Sequence, residues 1–374
     1  MTQVARLMLL SGKFQFTPEV QTVRKSAIVI GFGAFFITMA LLLKFYAFDK
    51  LAVIPIDQNS QQVAVDNNAY IFDAGSLKFY HTTLTTTIGA VGQKEQSQQF
   101  GHNSVIFSKW QYSSIPQTKT AQTAFTEKFA VNRHTGKVIP WSGDSENGKA
   151  IEHTGYTVKF PFGTQKTTYP YWDVSIERSM QMKYAGTDTI DGLTVYRFEG
   201  TVPRQPLVSS PAKEVPGFLF GGAQNSPGVK ATYSYANDRT IWVEPETGAF
   251  IKVRENQQQW LTDVKTGKSV NVLKTSSVFN NATVTQNVHD YKGKAAQLKA
   301  LKIAPWILGI LGILLLIGGI VMALLLGRGA ARSEAAESRA DEPAATEESD
   351  DSDDDSDDET QGGGVADLLN RPEE

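Results

Sequence analysis

Five histidines (His81, His102, His134, His153 and His289) are the side chains best suited to hold a metal or move a proton near neutral pH. None stands at a metal-ligand spacing from another, and the chain has no cysteine, which removes thiolate sites, cysteine nucleophiles and disulfides together. No H-E-x-x-H, phosphate-binding P-loop, G-x-S-x-G or dinucleotide-type glycine pattern occurs. The carboxylates Asp173, Asp188, Asp191 and Glu199 could meet in space as a glycosidase-like acid and base. Acidic residues beside turns more often serve the turn itself. The reading therefore assigns no catalytic residue, no metal and no cofactor, and keeps a glycan-acting envelope enzyme as an alternative.

Other residues suggest contact rather than catalysis. Lys292, Lys294, Lys299 and Lys302 precede a long apolar run. Anionic headgroups near such lysines are worth about 1 kcal/mol each; the plainer reading is a solvated helix face. Phe218 and Phe220, in a glycine-rich passage ending near Gly228, would form the apolar tip of a loop. Such a tip enters a membrane, covers a cavity or packs on its own domain. Residues 51–302 carry 26 basic against 20 acidic side chains, an excess suited to phospholipid or lipoglycan headgroups and without a nucleic-acid motif. Val365, Leu368 and Leu369 form a small apolar patch that suits a cytoplasmic partner.

Two apolar segments must position these groups. Residues 26–48 open with 18 uncharged, mostly apolar residues, and residues 303–327 supply a second run, enough in each case to cross a bilayer. About 25 residues precede the first run and no small-residue cleavage site follows it, so it reads as an uncleaved anchor. Arg6, Lys13, Arg24 and Lys25 lie before it, against Lys44 and Lys50 after it. The positive-inside rule then places residues 1–25 in the cytoplasm, residues 49–302 outside the plasma membrane and residues 328–374 back in the cytoplasm. Neither span carries a central carboxylate, histidine or arginine of the kind ion pathways use. Pro305 suits the first turn of the second span.

Between the spans, short Thr-, Val- and aromatic-rich stretches alternate with turn residues. Thr240–Glu244 and Phe250–Arg254 flank Pro245-Glu246-Thr247-Gly248, a strand, a turn and a returning strand. Asp191-Gly192 introduces the alternating run Leu193–Phe198. The fold class expected is mainly β: an antiparallel sandwich or partly closed barrel between two transmembrane helices. Val288–Lys302 is expected as a short juxtamembrane helix, and Trp110, Trp141, Trp172, Trp242 and Trp260 as core residues. From Ser333 to Glu374, 17 acidic residues stand against two arginines, a composition expected to be disordered.

Arg24-Lys25, Leu41–Tyr46 and Val53–Asp57, then Phe160-Pro161-Phe162, Lys166–Asp173, Asp191–Phe198 and Trp242–Gly248, resemble an actinobacterial family named for the porin PorA. The resemblance spans roughly residues 20–327 and includes the two-span plan. It implies a protein of mycolate-bearing bacteria, a β-rich lipid-binding ectodomain and a link to maturation of lipomannan and lipoarabinomannan-type lipoglycans. The function expected is a non-enzymatic accessory of envelope assembly that binds or presents lipid or lipoglycan to membrane glycosyltransferases. A scaffold without a ligand is the alternative. A pore is the least favoured, because an outer-membrane channel calls for a closed barrel or self-assembling peptide rather than two apolar helices.

Overall fold

The computed structural model describes residues 18–118, 121–208 and 210–340, with side chains from 25 to 328. The N-terminal flank before Pro18 and the whole acidic tail beyond Ala340, with Val365, Leu368 and Leu369, lie outside the described residues. The chain divides into two compact units, one of residues 28–318 and one made of the remaining terminal parts.

Helix α1 (Pro18–Leu42) continues through a π-turn at Leu43–Ala47 into α2 (Phe48–Leu51). At the other end, α4 runs from Asn281 to Ala340. Residues 25–51 and 281–328 each contain a stretch long and apolar enough to cross a membrane. The two stretches meet where side chains are smallest. A Cβ on Gly312 would stand 2.8 Å from the Gly33 carbonyl oxygen and 2.7 Å from Ile37 Cγ1. Only glycine permits that approach.

The strands are β1 (Asn59–Asp73), β2 (Lys78–Gly92), β3 (Ser104–Ser114), β4 (Thr123–Asn132), β5 (Val138–Ile139), β6 (Ser145–Glu146) and β7 (Lys149–Ala150). After a long connection come β8 (Tyr169–Asp173), β9 (Arg178–Ile190), β10 (Leu193–Pro206), β11 (Lys213–Val215), β12 (Val229–Val243), β13 (Phe250–Asp263) and β14 (Ser269–Phe279). A short helix, α3 (Lys94–Phe100), separates β2 from β3. All the strands pair antiparallel in one open sheet, ordered β7-β6-β4-β3-β2-β1-β14-β13-β12-β10-β9-β8, with β5 and β11 as side branches on β4 and β12. The expected hairpins are present. Asp191 and Gly192 both take positive φ, the turn that matches strand twist. At residues 244–248 the Glu244 carboxylate accepts the backbone N–H groups of Glu246 and Thr247, tightening the turn.

The sheet does not close on itself; residues 151–168 strap its two ends together. Val138 N donates to Gly155 O at 2.9 Å on the β5 side, and Tyr156 N to Pro170 O at 2.9 Å on the β8 side. Farther along, Phe160 N donates to Gly248 O and Gly163 N to Glu246 O, tying the strap to the β12–β13 turn. Buried side chains fill both ends of the curl. Phe160, Tyr169, Met182, Phe198, Tyr235 and Ile241 pack on the β8–β13 side. Ile54, Val105, Phe107, Phe129 and Val131 pack on the β2–β5 side. Each contributes roughly 1.5–3 kcal/mol by leaving water.

Both candidate spans leave the sheet from one end. The linker after α2 is fixed by Ile54 N donating to Arg133 O, and by Arg133 Nε donating back to Ile54 O. Asn280 caps α4 through Oδ1 accepting from Thr283 N at 2.9 Å. The Thr283 hydroxyl accepts from Val63 N at 3.0 Å, which pins the helix start to β1. Val284, Val288, Ala295 and Leu298 are buried. This is one helical face laid on the sheet, so α4 is established well before the apolar run. That explains why Pro305 lies inside the helix rather than at its first turn. Nucleation is already complete there, and proline forfeits only a local backbone bond. Of the five tryptophans expected in the core, only Trp172 is buried; Trp110, Trp141, Trp242 and Trp260 are partly exposed.

Candidate functional site

Between the two ends of the curl lies a cavity of about 930 Å³. Its size falls in the range of small-molecule and lipid sites. Strands β2, β3, β13 and β14 give its walls, the strap gives another, and Gln286–Leu301 of α4 with residues 51–62 complete it. The elements continuous with the two candidate spans therefore form part of the lining.

Successive inward-facing residues on a strand lie two positions apart, so each wall strand can be read as a line. With distance from α4, β14 reads Phe279, Ser277, Thr275, and β13 reads Val253, Glu255, Gln257, Gln259, the pairs Glu255–Ser277 and Gln257–Thr275 lying side by side. From the end at which the first helix joins, β2 reads Ala90, Ile88, Thr86, and β3 reads Phe107, Lys109, Gln111. All four change from apolar to polar in the same direction. A second, smaller cavity of about 40 Å³ shares Thr86, Gln111, Thr123, Glu255, Gln257, Gln259 and Ser277 with the first, and Ile71, Leu84 and Leu273 close it beyond them.

The charges on and behind this wall are matched in pairs. Lys109 Nζ lies 2.6 Å from Glu127 Oε2, and Glu127 Oε1 lies 3.0 Å from His153 Nε2. The other ring nitrogen of His153 meets Asp144. Burial alone would raise the Glu127 pKa, but attraction from Lys109 and the hydrogen bond with His153 outweigh it and lower the pKa to about 2. Burial likewise opposes charge on His153, and the bonds to Asp144 and Glu127 reverse that and raise its pKa. Arg239 Nη1 reaches Asp173 Oδ2 at 3.1 Å, its Nε donates to Glu255, and its guanidinium stacks on Tyr171 with 4.6 Å to the ring centroid. Tyr235 donates to the same Asp173 oxygen at 3.2 Å.

Two lining groups are less settled. Burial, reinforced by Glu127 and Glu177, pushes the half-buried Glu146 carboxyl up to about 7. Lys159, beside the ring of Phe162, has a buried Nζ without a hydrogen-bond partner among the described residues, and burial holds its pKa well below the lysine range. The arrangement offers a matched charge network, free amides and hydroxyls, and an apolar wall. Among the described residues no cluster of histidines and carboxylates could hold a metal ion.

The residues singled out in the sequence do not assemble into one site. Lys294 lies at the cavity rim on α4, and its ammonium sits 5.0 Å from the Tyr291 ring centroid. Lys302 pairs with Glu246 at 2.5 Å, Lys292 donates to Asp191 O at 3.5 Å, and Lys299 is exposed. Phe218 and Phe220 form a 3-10 turn packed against Phe72, Phe79, Tyr233 and Val270, at the β12 end remote from α4. That is the reading in which the loop packs on its own domain. None of Asp173, Asp188, Asp191 and Glu199 lines the cavity; Arg197 bridges Asp188 at 3.2 Å and Glu199 at 2.6 Å on the exposed face.

Sequence reasoning named neither Lys109, Glu127, Arg239 and Glu255 nor the glutamines. A signal for them exists on β13. Glu255, Gln257 and Gln259 occupy one phase while Lys252, Arg254, Asn256 and Gln258 occupy the other. A strand polar on both faces departs from the usual one-sided pattern and marks an internal polar surface.

The family model described as Porin PorA matches residues 25–321. A relative named Porin PorA from Corynebacterium amycolatum is 24% identical over 255 residues, covering 54% of this chain and 65% of its own length. Another of that name, from Corynebacterium resistens, is 28% identical over 253 residues, covering 50% and 61%. The chain thus spans less than two thirds of the length of these curated relatives.

Proposed function

The chain belongs to the Porin PorA family, and from that membership together with its cavity we propose that residues 51–302 bind an amphiphile beside the plasma membrane. The observation that carries this reading is the lining itself. A cavity of about 930 Å³ is walled partly by the extramembrane turns of α4 and the linker after α2, so it borders both elements that enter the bilayer. An amphiphile leaving the outer leaflet would meet Leu51, Val53, Ile54, Leu298 and Leu301 there, set among polar side chains such as Gln61, Asn287 and Lys294. In this reading the protein is a non-enzymatic accessory of envelope assembly that presents a lipid or lipoglycan precursor to membrane glycosyltransferases. Both termini are cytoplasmic.

The test is extraction of a purified fragment of residues 51–302 with organic solvent, followed by mass spectrometry and a vesicle-to-vesicle transfer assay. A bound lipid and faster transfer are expected; a fragment with neither overturns the proposal. The name of the relatives favours a second reading, a conducting pore, which planar-bilayer conductance tests directly. The outer face of the sheet speaks for the first reading. Glu199, Lys230, Asp238, Arg254, Asn256 and Lys274 are exposed there, whereas a membrane barrel needs an apolar outer band.

A further inference from the structure

We infer that the amphiphile is held with its polar end inward, away from α4, in a subsite built by Gln111, Gln257, Gln259 and Thr123, and that this end is uncharged and rich in hydroxyls. The inference rests on the amphiphile reading above and adds direction, residues and headgroup chemistry to it.

Direction follows from the four wall strands. Val253 to Gln259, Phe279 to Thr275, Ala90 to Thr86 and Phe107 to Gln111 all run from apolar to polar as they leave the end where the two helices join. A tail lying against the amide end would strand polar groups without partners, the costly case for a donor or acceptor removed from water. The opposite orientation spares the strand amides and places the tail against Phe279, Ile88 and Leu298, next to the helices, where the lining amides of Gln286 and Asn287 already bond to Asp290 and to Ile251 O.

Headgroup chemistry follows from what is free. The two cations in this part of the wall are already neutralised, Lys109 by Glu127 and Arg239 by Asp173 and Glu255. The side-chain amides of Gln111 and Gln259 make no hydrogen bond among the described residues, and both residues are only partly buried. A wall of open amides and hydroxyls whose two cations are already paired offers donors and acceptors but no free positive charge. It suits sugar-like hydroxyls, whereas a phosphate would face Glu255 and Glu146 without a free counter-charge.

Two photoreactive probes test this on the full chain in nanodiscs. One is a glucosyl diacylglycerol with a diazirine on the sugar; the other carries it at the end of an acyl chain. The sugar probe is expected to label peptides of β3 around Gln111 and of β13 around Gln257. The chain probe is expected to label Gln286–Leu301 and the end of β14. The reverse pattern, or one pattern for both probes, overturns the inference while leaving the amphiphile reading intact. No labelling of cavity peptides by either probe defeats the amphiphile reading itself. A second arm measures affinity. Gln111→Leu combined with Gln259→Leu should weaken glucosyl diacylglycerol about ten-fold, the loss of one or two hydrogen bonds, and leave plain diacylglycerol unchanged. Unchanged diacylglycerol binding also reports an intact fold. Equal loss for both lipids, or tighter binding of phosphatidylglycerol than of the glucosyl lipid, overturns the headgroup assignment.

Discussion

Glu127 is the residue on which the interior charges converge, since it holds both Lys109 and His153 while itself only 1% exposed. Removing one partner of a buried pair costs about 3–5 kcal/mol, because the other charge is left in a poor solvent. Glu127→Ala is therefore expected to lower stability by about that amount, read as a fall in Tm by calorimetry. The pH dependence has a definite sign. The folded pKa of Glu127, about 2, lies below its ordinary 4.5. Its contribution is thus full above pH 4.5 and is lost as pH falls from there towards 2. The His153 pKa is raised from 6.5, so its contribution is full below pH 6.5 and is lost as pH rises through the folded value. Unfolding curves should show both limbs in the native chain and a shallower acid limb in Glu127→Gln. Glu146 lines the proposed amphiphile cavity instead. With its carboxyl near 7, amphiphile affinity should change through neutral pH, and Glu146→Gln should abolish that step in a titration of bound lipid against pH.

Among the elements, the strap and the paired helices depend on single glycines. Gly248 has φ +74, and a Cβ there would overlap the Phe160 carbonyl oxygen that faces the turn. A side chain at such a φ costs about 1–3 kcal/mol before any clash is counted. Gly248→Val should therefore loosen residues 151–168, with faster proteolytic cleavage in that segment and a lower Tm. Gly312 plays the corresponding part between the helices. Because the chain has no cysteine, an engineered pair can report on the contact without background. A Cβ on Gly309 would lie 3.9 Å from that of Ala40, close to disulfide geometry. Ala40→Cys with Gly309→Cys should cross-link on oxidation, and adding Gly312→Leu should abolish the cross-link.

For the whole molecule, a ligand that binds only the folded state raises stability by RT ln(1 + [L]/Kd), about 2.7 kcal/mol at a hundred-fold excess over Kd. Delipidated protein is therefore expected to melt lower than protein reloaded with glucosyl diacylglycerol, as scanning calorimetry would show. Orientation is open to direct measurement by the same lack of cysteine. A Ser269→Cys variant should react with a membrane-impermeant maleimide on intact cells, and Ser333→Cys only after permeabilisation. The opposite labelling would place the sheet in the cytoplasm and remove the envelope role.

Apolar runs, turn dipeptides and strand alternation are local properties, and from them alone the sequence determined two candidate spans flanking an antiparallel β domain. Asp191-Gly192 and Pro245–Gly248 stand as turns where their chemistry requires them, because a tight turn is decided by the φ its own residues can adopt. The open sheet with its strap, the continuous α4 and the cavity were decided by tertiary structure. Lys109 meets Glu127 by strand register, and Glu127 meets His153 through the strap, across separations that no local pattern encodes. Trp110, Trp242 and Trp260 stay partly exposed for the same reason: their strands face outward at those positions, and burial belongs to the assembled sheet rather than to the residue type. The β13 pattern lies between these cases. Its polar character on both faces was legible in the chain, but only the curl of the sheet showed that one face is enclosed, and enclosure is what makes a row of glutamines a candidate binding wall.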